Sequence, residues 1–260
     1  MKKLIKIYAE RNTGTNYLEN LIRLNLDVKI LKGKIPFLVY LLGYTIQKKM
    51  PNLFKNYFIY ETFEDVYYKI SSPNNLGWKH ELITPQRIKE INAYKNPIYF
   101  VTLIKNPYSW LLSLHRNPYG PAEINTNFEQ FLAEPFKTLK RENHPEHFEN
   151  PIILWNEKNK LYMQLKSNLP AIIIKYEDLL SDPKSAIDSI SRQFNLKKRS
   201  DDFKNKTEST KGETKNFSYY QNYYLNEIWK EKLNKKSIEI INKYLDEDLL
   251  NYFGYKKIKI

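Results

Sequence analysis

Between Lys3 and Leu18 the chain changes its hydrophobic period within a few residues, and few folds accommodate such a change. Lys3 to Ala9 alternates as a strand does, while Leu18, Leu21 and Ile22 recur at helical spacing. Between them lies a turn centred on Gly14. A turn that opens directly into a helix points several unpaired backbone N–H groups at one spot, where the helix dipole also favours an anion. Thr13, Thr15 and Asn16 add side-chain donors, and Arg11 adds a fixed positive charge. The same residues also suit an ordinary strand-to-helix connection in which Thr and Asn cap the helix. No Lys-Ser/Thr pair follows Gly14, so the Walker pattern is missing and a metal-bound triphosphate is not the expected ligand.

Further strand-then-helix junctions follow. Pro97 to Ile104 is a nearly continuous run of β-branched and aromatic residues, as expected of a parallel strand covered on both faces, and it ends at Lys105-Asn106-Pro107, where Asn can cap and Pro can open a helix. Ala171 to Lys175 is a second buried-strand candidate, and Leu76 to His80 reads as a short strand ending in Lys79 and His80. Helices are expected from Thr84-Pro85, near Phe128 to Leu132, over 151–168, up to Phe194, and through Tyr219 to Tyr255. This alternation predicts an α/β fold, a doubly wound and mostly parallel sheet flanked by helices. Ligands of such sheets sit beyond the carboxyl ends of the strands. The polar clusters at 10–16, 79–80, 105–106 and 176–178 each follow a strand candidate, so they can converge on one mouth.

A chain of 260 residues can bury one large core, and a single domain over 1–260 is expected, with variable insertions near 30–75 and 117–150. Ile35 to Ile46 is the most apolar run, too short to span a bilayer; it reads as a buried helix or flap, with a membrane-surface contact as the second reading. Residues 53–70 read as an irregular or helical insertion and Ser71 to Asn75 as a turn. Lys197 to Lys215, highly charged and almost without apolar residues, reads as a mobile loop or lid. His144 and His147 share a helical spacing without a third ligand and read as surface residues.

There are no cysteines, which excludes disulfides and thiolate metal sites. Met1-Lys2-Lys3 leads straight into the first strand candidate, so a cytoplasmic protein is expected. The formal charge of +13 suits anionic partners, but the basic residues are spread along the chain, which argues against a dedicated nucleic-acid site.

Three blocks carry a family resemblance. Arg11 to Leu18 resembles the 5′-phosphosulfate loop of sulfotransferases that use 3′-phosphoadenosine 5′-phosphosulfate (PAPS). Ile104 to Ser113 resembles their 3′-phosphate motif, and Lys175 to Pro183 resembles a third block of that family. The resemblance implies the P-loop NTPase-like sulfotransferase fold and in-line transfer of a sulfuryl group from PAPS to a hydroxyl or amine, leaving adenosine 3′,5′-bisphosphate (PAP), with no metal. It suggests a glycan or glycan-like acceptor. It implies cofactor contacts from Arg11, Asn12, Thr13, Gly14, Thr15, Asn16 and Tyr17, the last beside the adenine, and from Lys105 and Ser113 at the 3′-phosphate. Lys211, in Thr210 to Thr214, echoes the family's late Gly-rich loop. Lys79-His80-Glu81-Leu82 resembles its Lys-x-His-Leu segment without the intervening residue, making His80 the expected base and Glu81 the runner-up. Arg11 or Lys79 would stabilise the bridging oxygen. Two departures stand out: Asn12 occupies a position that is usually basic, and Lys105 replaces an Arg, keeping the charge without the bidentate fork. The rival expectations are a phosphotransferase of P-loop ancestry and a non-catalytic basic protein that binds nucleic acid or other polyanions.

Overall fold

The computed structural model describes residues 2–49, 59–118, 126–143, 147–208 and 215–260. Strand β1 (Lys3–Ala9) is buried over its last five residues because it pairs on both sides, with β2 (Val28–Ile30) and with β3 (Ile98–Ile104). Helix α1 (Thr15–Asn25) joins β1 to β2. Helices α2 (Phe37–Lys49), α3 (Ile59–Asn75) and α4 (Pro85–Asn92) precede β3, and α5 (Pro107–Arg116) follows it. After α6 (Phe128–Ala133) come a small antiparallel pair, β4 (Phe136–Lys137) with β5 (His147–Phe148), and the long helix α7 (Pro151–Asn168). Strand β6 (Ala171–Lys175) pairs parallel with β3. Helices α8 (Tyr176–Ser181), α9 (Pro183–Gln193), α10 (Phe217–Leu225), α11 (Lys235–Tyr244) and α12 (Glu247–Phe253) complete the chain.

The main sheet has the order β2-β1-β3-β6 and is parallel throughout, in agreement with the expected doubly wound α/β architecture. The chain leaves β1 toward β2 and then crosses back to β3. Right-handed crossovers in opposite directions place their helices on opposite faces of the sheet. Accordingly α1 packs on β1, β2 and α9, whereas α7 packs on β6, α5, α6, α11 and α12. The reversal puts a crevice beyond the carboxyl ends of β1 and β3. Most of the buried apolar residues from Ile5 to Tyr255 form one cluster around the sheet, and Tyr68, Trp78 and Leu139 form a second, smaller one.

Three local expectations are corrected. Leu76 to His80 is not a strand: Leu76 and Gly77 both take positive φ, 57° and 71°, which breaks extension before pairing can start. The segment instead docks on the end of β1, the amide of Ala9 donating to the carbonyl of Lys79 at 2.9 Å. Ser71 to Asn75 is the last turn of α3, with Pro73 inside it, rather than a separate turn. The apolar run at 35–46 does form a helix, but α2 is exposed along most of its length and buries only Gly43. His147 is exposed on β5, as expected, while His144 and residues 51–58 lie outside the described residues.

Candidate active site at the sheet switch point

The turn after β1 is held by its own side chains. Thr13 Oγ1 donates to the carbonyl of Glu10 at 2.5 Å, and the amide of Arg11 donates to Glu10 Oε1 at 2.7 Å. Asn12 (φ 59°) and Gly14 (φ 90°) adopt left-handed conformations. The carbonyl of Gly14 accepts the first bonds of α1, from the amides of Tyr17 and Leu18. Among the described residues the amides of Gly14, Thr15 and Asn16 donate to no acceptor. A side chain at Gly14 is excluded by the ring of Tyr176, whose Cε2 lies 2.5 Å from where a Cβ would stand.

The corner after β3 forms as the sequence predicts. Asn106 caps α5 by accepting from the amides of Tyr108 (3.1 Å) and Ser109 (3.5 Å), and Pro107 opens the helix. Two indoles tie both corners down: Trp110 Nε1 donates to the carbonyl of Arg11 at 2.8 Å, and Trp155 Nε1 donates to that of Lys105 at 3.0 Å. Glu177, from the third quoted block, accepts from the amide of Asn106 (3.0 Å) and from Tyr255 Oη (2.8 Å). That block braces the β3 corner.

The buried cations fall into two groups. Arg11 pairs with Glu142 and lies 4.6 Å from the ring centre of Trp78; Lys158 pairs with Glu10 at 3.1 Å; Arg87 pairs with Glu81 and Glu90; and Arg141 pairs with Glu61, Glu64 and Asp65. Lys6 has its amine on the carbonyls of Asn75 and Gly77. Lys79 and Lys105, by contrast, face cavities and form no ion pair among the described residues. Lys79 Nζ donates to Asn16 Oδ1 at 2.8 Å, and burial, helped by the charge of Lys34, lowers its pKa to about 7. Lys105 Nζ donates to Ser113 Oγ (2.9 Å) and to the carbonyl of Asn12 (3.4 Å), and sits 3.9 Å from the centre of the Tyr224 ring. Burial lowers its pKa, and the neighbouring Tyr224 opposes the shift.

His80 is fixed at both ends. Its Nδ1 lies 2.5 Å from the carbonyl of Ala9, which can only accept, so Nδ1 carries the proton and Nε2 keeps a lone pair. Its own carbonyl accepts from Lys158 Nζ, and the ring meets Trp78 edge-on at 4.9 Å. Burial, followed by the charges of Lys79 and Arg11, pushes the imidazole pKa well below its usual value, so the ring is neutral at pH 7. Glu81 points elsewhere. Both of its oxygens engage Arg87, and it lines a different cavity together with Arg87, Glu90 and Arg141.

Two cavities meet at the Gly14 turn. One is lined by Asn12, Gly14, Tyr17, Lys105 and Ser113 of the expected set, walled by Tyr176, Phe217, Tyr220 and Tyr224, and holds about 110 Å³. The other is an open cleft of about 650 Å³ lined by Arg11, Asn12, Gly14, Thr15, Asn16, Lys79 and His80, with Lys34, Glu64, Tyr68 and Trp78 added. Arg116 and Asn117 line both. Thr13 lines neither, its hydroxyl being spent on the turn. Lys211 lies outside the described residues; the preceding Lys206 to Glu208 border the aromatic cavity. Sequence reading passed over Arg116, although it stands one helical turn after Ser113, and it passed over Tyr224 and Phe217, which reach the cavity from the far end of the chain. No group of three or more His, Cys, Asp or Glu among the described residues could hold a metal ion.

No protein-family model matches the sequence, and no curated protein matches it. Among solved structures the chain is similar to a sulfotransferase domain from the curacin biosynthetic pathway (12% identity over 99% of each chain, TM-score 0.43). It is similar also to a sulfotransferase from Alicyclobacillus acidocaldarius (13% identity, 96% of this chain and 99% of that one, TM-score 0.44). A mouse sulfotransferase complexed with PAP matches at 13% identity over 95% of this chain and 90% of that one, with TM-score 0.38. Likeness at this level says nothing about the reaction of this chain.

Proposed function

We propose that the protein transfers a sulfuryl group from PAPS to a hydroxyl or amine held in the open cleft. The observation that carries this reading is that Lys79 and Lys105, both buried and without a carboxylate partner among the described residues, each line one of two adjoining cavities that share the Gly14 turn. A buried ammonium without a counter-charge is costly, and a bound anion removes that cost. Lys105 with Ser113 suits one phosphate at the aromatic end; Lys79 with the amides of Gly14, Thr15 and Asn16 suits another at the cleft end. Two cations in separate cavities suit a nucleotide with two separated phosphates better than a triphosphate. Tyr17 and Phe217, whose ring centres are 5.8 Å apart, flank the aromatic cavity. A purine between them needs about 7 Å, so these rings part when it enters.

When bound, the donor supplies a sulfuryl group whose bond to the phosphate oxygen breaks as the acceptor oxygen or nitrogen bonds to sulfur. The residues do the rest. His80, neutral and lining the cleft, takes the acceptor's proton on Nε2. Lys79, charged once an anion lies beside it, stabilises the negative charge left on the phosphate oxygen. Arg11 acts from behind: its pair with Glu142 and its stacking on Trp78 keep the cleft wall in place. Glu81, committed to Arg87, has no part in the transfer. A glycan hydroxyl is the acceptor class we favour, since the cleft offers Asn16, Glu64, Tyr68 and Trp78 as hydrogen-bonding and stacking groups.

Thermal unfolding with added nucleotide tests the reading. PAP at a hundred times its Kd should stabilise the protein by about 2.7 kcal/mol, and ATP with magnesium should do much less. The opposite ranking would replace the proposal with phosphoryl transfer.

A further inference from the structure

Helix α2 is apolar on nearly every side, yet it lies on the surface. Val39, Gly43 and Ile46 form its less exposed side, and the helix packs on α3. The outer side carries Phe37 (69% exposed), Leu38 (77%), Leu41 and Leu42 (53%). A helix of this composition is ordinarily covered by protein or by lipid. Its length of 13 residues is too short to cross a bilayer, and no helix among the described residues is long and apolar enough to do so. What covers it can be argued from charge. From Val28 to Lys49 the chain contains five lysines, Lys29, Lys32, Lys34, Lys48 and Lys49, and no carboxylate. All five are exposed, three of them ahead of the helix and two in its last turn. A two-fold contact with a second copy would bring like charges together across the interface. A layer of anionic headgroups meets them with opposite charge while the acyl chains take the leucines.

We propose that α2 is a bilayer-surface helix that docks the protein on anionic membranes. The docking stands on its own observations. Its consequence for substrate rests on the reaction proposed above: Lys34 and Ile35, just ahead of α2, line the open cleft. A docked helix therefore holds the mouth of that cleft at the headgroups, where a membrane-anchored acceptor would present its hydroxyl.

Sedimentation with vesicles of phosphatidylcholine, with and without roughly one-third phosphatidylglycerol, tests the docking without any nucleotide. Binding should rise at least about tenfold with the anionic lipid and fall as salt is added. The double variant Leu38→Glu/Leu42→Glu should lose vesicle binding while keeping its melting temperature and its stabilisation by PAP, because both side chains are exposed. Lys48→Gln/Lys49→Gln should lose the preference for anionic lipid. Absence of binding to either vesicle overturns the proposal. So does a concentration-dependent dimer in analytical ultracentrifugation that the leucine double variant abolishes, which would identify a second copy as the occupant. PAP binding is read separately, so failure of the docking and failure of the sulfuryl-transfer reading are distinguishable.

Discussion

Lys79 and Lys105 are both buried, but their neighbours differ: an amide oxygen and a second lysine near Lys79, a hydroxyl and an aromatic face around Lys105. With a pKa of about 7, Lys79 is mostly neutral at pH 8, and an anion beside it draws the proton back. Calorimetry of PAP binding at pH 8 in buffers of different ionisation enthalpy should therefore show proton uptake, reduced by up to one proton in Lys79→Met. Equal uptake in the variant would place the anion elsewhere. The same residue affects stability. Its folded pKa lies below the unfolded value of 10.5, so the unfolded chain binds more protons between about pH 7 and 10.5, and the burial penalty is relieved as pH rises through that window. His80 has the same sign at lower pH, the fold losing stability as pH falls below the usual histidine range. Replacing it by Gln should preserve PAP binding and lower kcat by about 10²–10⁴-fold. The acid limb of the wild-type pH–rate profile should lie below pH 6.5 and disappear in the variant.

At the scale of elements, the site depends on how two strand-to-helix corners meet. Gly14 is needed twice over, by its φ of 90° and by the ring of Tyr176 above it. Alanine there should cost at least about 1–2 kcal/mol from the left-handed conformation alone, and more from the contact. Gly14→Ala is expected to lower the melting temperature and to weaken PAP binding together. Adding Tyr176→Phe should bring no relief, since the clashing carbon remains, whereas Tyr176→Leu should restore part of the melting temperature. The β3 corner is more tolerant: Asn106→Ala removes a cap worth about 1 kcal/mol, which a thermal melt would register, and leaves Lys105 tied through its carbonyl to Trp155.

Over the whole molecule, the switch between β1 and β3 sets the site on the sheet, while α2 and α3 extend from it. Helix α2 packs mainly on α3, and α3 is held in turn by Arg141 through Glu61, Glu64 and Asp65. Few buried apolar groups anchor α2, so its amides should exchange with solvent several orders of magnitude faster than those of β1 and β3. Hydrogen exchange by mass spectrometry reads this directly, and protection of α2 equal to that of β1 would mean that its exposed face is covered in solution. Anionic vesicles should slow exchange in α2 selectively.

The strands β1, β3 and β6 and the caps of α4 and α5 were legible in the sequence because each depends on neighbours a few residues away. So were the Gly14 turn and the Lys105 corner, whose residue types are those that such backbone shapes require. The helical period of α2 was legible too, but not its exposure, since a helix apolar all round looks the same whether protein covers it or not. Leu76 to His80 misled because Leu76 takes a left-handed conformation that its side chain does not announce. What only the tertiary structure decided is which charges are already answered. Arg11 and Glu142 stand 131 residues apart in the chain, and Lys105 and Ser113 meet Tyr224 from across more than a hundred. Ion pairing depends on distance in space, which local sequence does not encode, so Arg11 and Lys79 look alike as cations in the sequence. Packing gives Arg11 a carboxylate and leaves Lys79 and Lys105 facing the cavities.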